Sequence, residues 1–208
     1  MCVAENKITR FQLAPRQHAS LLLPMIQALL IDANITLQEI DVIAFGCGPG
    51  SFMGVRLATA MAQGLAFGLQ IPVIPVSTLQ IIAQTAYEKT GEKNILAGWD
   101  ARMDEIYYGF YSVNDQGVMQ SLEYDALSAP ALIDPAIFAH DAFVLAGNAW
   151  SVYQNALPAV FSTYLNVKDI YPQASALLTI AEARFRLQQV MAPECALPHY
   201  VRQKVVFG

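Results

Sequence analysis

The chain has 208 residues, of which 55% are hydrophobic and 14% charged, and its formal net charge is −5. This length suits one large domain or two small lobes, and the apolar fraction is enough for a sizeable core with some left for a partner surface. The negative charge and the lack of a Lys/Arg cluster exclude strong RNA binding by this chain alone.

The first half of the sequence alternates strand and helix signals. Two short strands are predicted within residues 1–14, joined by a turn at Glu5–Lys7, and residues 18–35 have the apolar spacing of a helix. A buried strand is predicted over residues 40–48, followed by a glycine-rich turn and a helix from Val55 to Gly68. Another short strand then leads into a helix whose cap is Ser77 or Thr78.

The second half begins with a new run of strands after Lys93. Strands are predicted at Ile95–Trp99 and Ile106–Val113, with a turn at 100–104, and the Asn114–Gly117 turn leads to a third strand. A strand within residues 142–150 and a helix from Ser175 to Gln189 follow. This mixture indicates an α/β protein with two lobes, residues 1–93 and 94–208, whose C-terminal tail can return to the first lobe.

The cysteine pattern and the N-terminal composition indicate the cellular compartment of the protein. Cys2, Cys47 and Cys195 are far apart and form no C-x-x-C pair, which is typical of a reducing compartment. The first ten residues lack the apolar core of a signal peptide, and polar residues and prolines interrupt the apolar stretch from Leu57 to Pro75. We therefore expect a cytoplasmic protein with no membrane span.

The glycine-rich turn, GCGPGSFMGVR, has the context of a phosphate loop, because it connects a strand to a helix. It does not match the Walker A, G-x-G-x-x-G or G-x-S-x-G patterns. Ser51 is either a helix cap or a catalytic hydroxyl, and the cap is favoured; Arg56 either holds a phosphate or carboxylate or forms an ordinary ion pair. The candidate nucleotide-proximal residues are Gly48, Gly50, Ser51, Gly54 and Arg56.

The helix after this turn has small residues at every fourth position: Ala60, Gly64 and Gly68. Such a stripe lets two helices approach closely, either within the same lobe or between this chain and another. Together with the Leu-rich helix near the N-terminus it suits a bundle face, and the residues favour packing within the lobe and packing against a partner equally. The candidate interface residues are Leu22, Leu23, Ile26, Leu29, Ala58, Met61, Ala62 and Leu65.

Few residues suit catalysis. Asp100, Asp104 and Glu105 are either Mg²⁺ ligands or bases at a strand end, or ordinary turn residues, and the turn is favoured. The three histidines are scattered, so a zinc site is not predicted, and no catalytic triad can be assembled. Gly147 and Asn148 follow a strand, where they either approach a ligand or form a turn.

Several stretches of the chain resemble the TsaB (YeaZ) family of bacterial tRNA-modification proteins. The most specific is the GPGSF turn with the glycine and arginine that follow it, and together the stretches span nearly the whole chain. They are PRQHASLLLPMI, GCGPGSFMGVR, IPVIPVSTL, ILAGWDARMDEIYYGFY and LPHYVR. The resemblance implies the two-lobed fold of actin, Hsp70 and the sugar kinases.

The resemblance also implies a role. The chain would be a non-catalytic scaffold that binds the catalytic subunit TsaD through first-lobe helices and acts with the ATPase TsaE. The complex would transfer a threonylcarbamoyl group to adenosine 37 of tRNAs that read codons beginning with A. Metal and ATP or ADP are expected on the partner subunits, tRNA only through the complex, and a homodimer is possible without TsaD.

Two features depart from the family pattern. Met53 stands where the family usually has Thr, which removes a hydroxyl from the turn, and a first strand that relatives usually carry is missing before residue 1.

Two other functions remain open on the residues: a small ATP-dependent kinase or phosphohydrolase using Asp100 and, less favoured, a protease.

Overall fold

The computed structural model describes residues 2–3, 6–12, 18–138 and 142–202. Strands and helices alternate along most of this length, which confirms the α/β prediction. The helices are α1 (His18–Ala33), α2 (Phe52–Leu69), α3 (Thr78–Thr90), α4 (Ala149–Val152) and α5 (Ala174–Arg186). The strands are β1 (Cys2–Val3), β2 (Asn6–Lys7), β3 (Ile43–Gly48), β4 (Val73–Ser77), β5 (Asn94–Arg102), β6 (Glu105–Val113), β7 (Met119–Ser121), β8 (Ala126–Ser128), β9 (Val144–Ala146) and β10 (Asn166–Val167).

The helix boundaries follow their capping residues. The Ser51 hydroxyl accepts a hydrogen bond from the Gly54 amide (3.2 Å), so α2 begins three residues before its predicted start. The Ser77 hydroxyl accepts from the Leu79 amide (3.1 Å) and caps α3. Both caps were predicted, because a serine at this position satisfies an amide that the first helical turn leaves unpaired.

Two predicted turns are wrong in position. Asn6 and Lys7 belong to β2, which pairs with β1, rather than to the turn between the strands. The β5–β6 ladder extends to the pair Arg102↔Glu105, so the turn consists of Met103 and Asp104 instead of residues 100–104. Both turn residues have φ near +56°, a backbone conformation that the sequence pattern did not indicate.

The smaller sheet consists of β3 and β4, which pair in parallel. Helix α2 covers one face and α3 and α5 the other, so successive residues of β4 enter two different cores. Val73 packs with Phe45 and Ala66 on the α2 side. Ile74 packs with Ile180 on the α5 side.

The larger sheet has the order β10-β9-β5-β6-β7, with β8 also paired to β6. Helix α3 lies on one of its faces, where Leu79 and Ile82 contact Ile95 and Met119. Trp150 and other aromatic residues cover the other face. Because α3 packs against both sheets, it connects the two halves of the molecule, and the division at residue 93 stays a prediction.

After α5 the chain returns to α2. Residues Pro193–Cys195 form a 3-10 helix against it, and Ala196 is buried in the same core as Ala62 and Ala66. Met191 pairs with Val73 at the edge of β4. Residues 191–196, which follow α5, therefore complete the packing of the smaller sheet and α2.

Candidate functional site

A cleft of about 950 Å³ separates the glycine turn and α2 from the end of the β5–β6 hairpin. The C-terminal residues 199–202 line its third side. Its walls include Ser51, Arg56, Trp99, Asp100, Asn148 and Tyr200. This is the one place where the candidate residues of the glycine turn and of the acidic segment meet.

The glycines of the turn are explained by local packing. Gly48 has φ +109°, and a Cβ on it would lie 2.8 Å from the carbonyl oxygen of His199. The His199 amide donates to the Cys47 carbonyl at 2.7 Å, so the turn holds the C-terminal segment by backbone contact. A Cβ on Gly54 would lie 2.6 Å from the capping hydroxyl of Ser51. Local packing alone therefore accounts for glycine at positions 48 and 54.

Arg56 lies in an aromatic environment. Its guanidinium carbon is 3.6 Å from the centroid of the Phe52 ring, and its Nε donates to the Tyr200 hydroxyl at 2.8 Å. Within the described parts of the chain, no carboxylate lies within ion-pair distance of Arg56, so the predicted ion pair does not form there. A cation–π contact with Phe52 takes its place.

Asp100 is fully engaged in holding the hairpin. Its side chain is 5% exposed and pairs with Arg102, Nη1 to Oδ2, at 2.9 Å. Oδ1 accepts hydrogen bonds from the Arg102 amide and the Tyr153 hydroxyl, both at 2.8 Å. Burial, and then the bond to Asp100, raises the pKa of Tyr153 to about 12, so the phenol stays a donor. These contacts favour the turn interpretation over a base, since both oxygens already have partners.

The other candidate residues near the cleft, Gly147 and Asn148, make contacts that stabilise the fold. Gly147 has φ +101° and packs directly on the Gly98 carbonyl, which supports the turn interpretation. The Asn148 side chain accepts from the Asp100 amide at 2.9 Å, a contact that the sequence did not indicate. Over the described ranges, no group of three or more His, Cys, Asp or Glu side chains could hold a metal ion. His140 lies outside the described residues.

Helix α1 is only partly covered by the rest of the described chain. None of the residues from Ser20 to Ala33 is buried, and Leu23 and Ile31 are 48% and 78% exposed. Leu22, Ile26 and Leu29 are half-buried. Contacts between α1 and the other helices and strands are sparse, and an ion pair from Arg10 to Asp32 at 2.5 Å anchors its C-terminal end.

Helix α2 has one face in the core and one in solvent. Its buried residues recur at helical spacing: Val55, Thr59, Ala62 and Ala66. Ala62 is 3% exposed, so its assignment to a partner interface is wrong: it packs under the helix against β3 and β4. Ala58, Met61 and Leu65 are half-buried.

The small-residue stripe of α2 faces outward. A Cβ added to Gly64 or Gly68 would meet nothing within 4 Å, so these glycines are not needed for packing inside the chain. Met53 and Phe67 on the same helix are 68% and 70% exposed. By length and composition α2 alone, among the described helices, could cross a membrane, a property that core helices of soluble proteins share.

A partly buried polar cluster joins the two sheets and was missed in the sequence. Asp125 accepts hydrogen bonds from the Ser77 hydroxyl at 2.5 Å and from the Tyr111 hydroxyl. Burial, with the Asp125 charge next, raises the pKa of Tyr111 well above its usual value, so the phenol remains protonated. No local motif marks a contact between residues so far apart in the chain.

Comparison with known proteins gives the family. The family model for TsaD, tRNA N6-adenosine threonylcarbamoyltransferase, matches residues 11–206. The tRNA threonylcarbamoyladenosine biosynthesis protein TsaB of Escherichia coli (strain K12) is 34% identical over 198 residues, which are 95% of this chain and 86% of the relative. The chain belongs to the TsaB (YeaZ) family.

Solved structures support the same assignment. YeaZ from Pseudomonas aeruginosa is 36% identical and superposes with a TM-score of 0.89, over 96% of this chain and 91% of that one. A second structure, described as an uncharacterized protein with similarity to peptidase YeaZ from Pseudomonas aeruginosa, is 37% identical with a TM-score of 0.87, over 96% and 92%. The chain therefore has the predicted actin-like fold.

Proposed function

We propose that the chain is a non-catalytic scaffold in the synthesis of threonylcarbamoyladenosine in tRNA. It binds a TsaD-type catalytic subunit through α1 and the outer face of α2. The complex, with TsaE, transfers the threonylcarbamoyl group to adenosine 37 of tRNAs that read codons beginning with A. The observation that carries this proposal is the apolar helix α1, in which no residue from Ser20 to Ala33 is buried.

The energetics of α1 favour a protein partner. Sixteen residues of helix span about 24 Å, a length that suits a standard interface of about 800 Å² per subunit. Burial contributes about 25 cal/mol per Å² of apolar surface. Leaving Leu23, Ile31 and Phe67 in water forgoes that contribution, and extensive exposed apolar surface marks interaction sites.

The cleft supports the scaffold role more than an enzymatic one. Both carboxylate oxygens of Asp100 have partners within the chain, and Ser51 is occupied in capping α2. A nucleotide-proximal turn stays a prediction, and of its five residues Arg56 is the one with a positively charged side chain. We place ATP or ADP, metal and the tRNA contacts on the partner subunits, and the assembly in the cytoplasm.

Co-purification with the TsaD subunit of the same organism, followed by light scattering, tests this proposal. The expected result is a stable 1:1 pair for the wild-type chain and loss of pairing for Leu23→Glu. The matched control is Leu132→Glu, because Leu132 is also exposed (77%) but lies in the second half of the chain, away from α1 and α2. A wild-type chain that never pairs, or a control that fails equally, would contradict the proposal. Without TsaD, the same face allows a homodimer.

A further inference from the structure

The C-terminal segment from Pro193 to Arg202, which we call the strap, lies along the inner side of α2. The Gln63 side-chain amide is 3.4 Å from the Ala196 carbonyl, and Ala196 itself is 1% exposed. Farther along, the His199 amide donates to the Cys47 carbonyl at 2.7 Å, and Tyr200 accepts from Arg56 at 2.8 Å. The strap thus contacts the middle and the start of α2.

The strap ends on the opposite side of the cleft. Val201 packs against the core of the larger sheet, and the Arg202 guanidinium forms an ion pair with Glu105 at the start of β6. Arg202 also lies 3.4 Å from the Arg102 carbonyl, and its guanidinium carbon is 5.9 Å from the Tyr107 ring centroid. Its side chain is 16% exposed, against 76% for Arg186 in an ordinary surface pair. Four separate contacts therefore hold the end of the strap.

Helix α2 depends on this support. On its inner side it packs against β3, β4 and the 3-10 helix of the strap, while its outer side faces solvent. Gly54, Gly64 and Gly68 lower its intrinsic helix stability, so its position depends on packing. A change that loosens the strap therefore removes packing contacts from the inner side of α2.

We infer that the strap is a positioning element for α2 and that the Arg202–Glu105 ion pair is its anchor across the cleft. The anchor lies on the larger sheet, yet it fixes the segment that holds α2 against the smaller one. Consequently, Glu105 and Arg202 position the docking face without belonging to it. The effect on docking rests on the proposed function, whereas the effect on α2 does not.

Hydrogen exchange on the full-length chain tests the coupling. Glu105→Gln removes the anion that pairs with Arg202, and the His199 amide is expected to exchange about fivefold faster, with faster exchange in α2 as well. Arg202→Gln, which also removes the contacts with the Arg102 carbonyl and the Tyr107 ring, should give at least this change, and the double variant no more than Arg202→Gln alone. The matched control is Glu182→Gln, which breaks the exposed pair with Arg186 on α5 and should leave His199 unchanged. Unchanged His199 exchange in both anchor variants would overturn the inference.

A binding measurement with the TsaD subunit separates the two claims. If the wild-type chain pairs, Glu105→Gln should weaken pairing by about two- to fivefold, since the partner must then reorder α2. Equal pairing despite faster exchange would overturn the positioning role. If the wild-type chain does not pair, the proposed function fails, and the exchange data alone still decide whether the strap holds α2.

Discussion

Helices α1 and α3 have similar lengths, 16 and 13 residues, but opposite surroundings. Seven residues of α3 are buried, including the polar Gln80 and Gln84, because the helix lies between two sheets. In α1, the more apolar of the two, no residue from Ser20 to Ala33 is buried. Composition therefore does not decide burial: the apolar surface of α1 has no adequate cover within the described chain and is available to a partner.

The largest effect should be seen in α3. Ile82 is fully buried, so Ile82→Ala should lower the free energy of unfolding by about 2–5 kcal/mol, through lost burial and the cavity left behind. The equivalent change in α1, Ile31→Ala, should cost less than about 0.5 kcal/mol, because Ile31 is already 78% exposed. Urea unfolding of the isolated chain measures both values. Equal losses would show that α1 is part of the core.

The polar cluster around Asp125 tests whether α3 also depends on buried hydrogen bonds. Asp125→Ala removes the carboxylate that accepts from the hydroxyls of Ser77, the α3 cap, and of the 1%-exposed Tyr111, which keep only their 3.4 Å contact with each other as a side-chain hydrogen bond. The expected loss of stability is about 1–3 kcal/mol, the cost of leaving buried polar groups unpaired. Glu123→Ala, at an exposed neighbouring position, is the control and should be neutral in the same unfolding assay. A neutral Asp125→Ala would mean that the cluster contributes nothing.

The outer face of α2 should behave like α1. A side chain at Gly64 meets open space, so Gly64→Leu should leave the chain folded and raise helix stability by about 0.5–1 kcal/mol. In a tight contact with TsaD the added side chain should cost about 1–3 kcal/mol of binding free energy. Circular dichroism and titration calorimetry measure the two effects. An unfolded variant would place the stripe inside the chain, contrary to its observed exposure.

A buried thiol on β3, Cys47, packs in the core beneath α2 and gives a pH test. Burial raises the pKa of Cys47 to about 11 from 9.0. The folded chain therefore holds this proton more tightly than the unfolded chain, and the associated stability is present below pH 9 and lost as the pH rises from 9 towards 11.

By pH 10 the wild-type chain should have lost about 1 kcal/mol more than Cys47→Ala, as measured by urea unfolding at several pH values. Cys195→Ala, which removes an exposed thiol, serves as the control. Parallel pH profiles for wild type and Cys47→Ala would contradict the burial of this thiol.

Local signals predicted most of the fold, while the site depends on distant contacts. Ser51, Ser77 and the left-handed Gly91 set helix ends through their nearest neighbours, so sequence patterns could locate them. Asp100 could not be interpreted in this way, because its partners Asn148 and Tyr153 lie about 50 residues away.

Sequence patterns also did not show which face of α2 is buried or which residues the strap contacts. Helical spacing showed that α2 has two faces but not which one meets β3, and Ala62 was consequently assigned to the wrong one. Arg202 and Glu105 are separated by 97 residues, and neither carries a recognisable motif for the other.

The most direct test of the account is hydrogen exchange of α1 in the full-length chain, alone and with the TsaD subunit of the same organism. We expect fast exchange in residues 20–33 of the free chain. In a 1:1 complex with TsaD, we expect strong protection of these residues and of the outer face of α2. Protection confined to the cleft or to the larger sheet, or no complex at all, would contradict it.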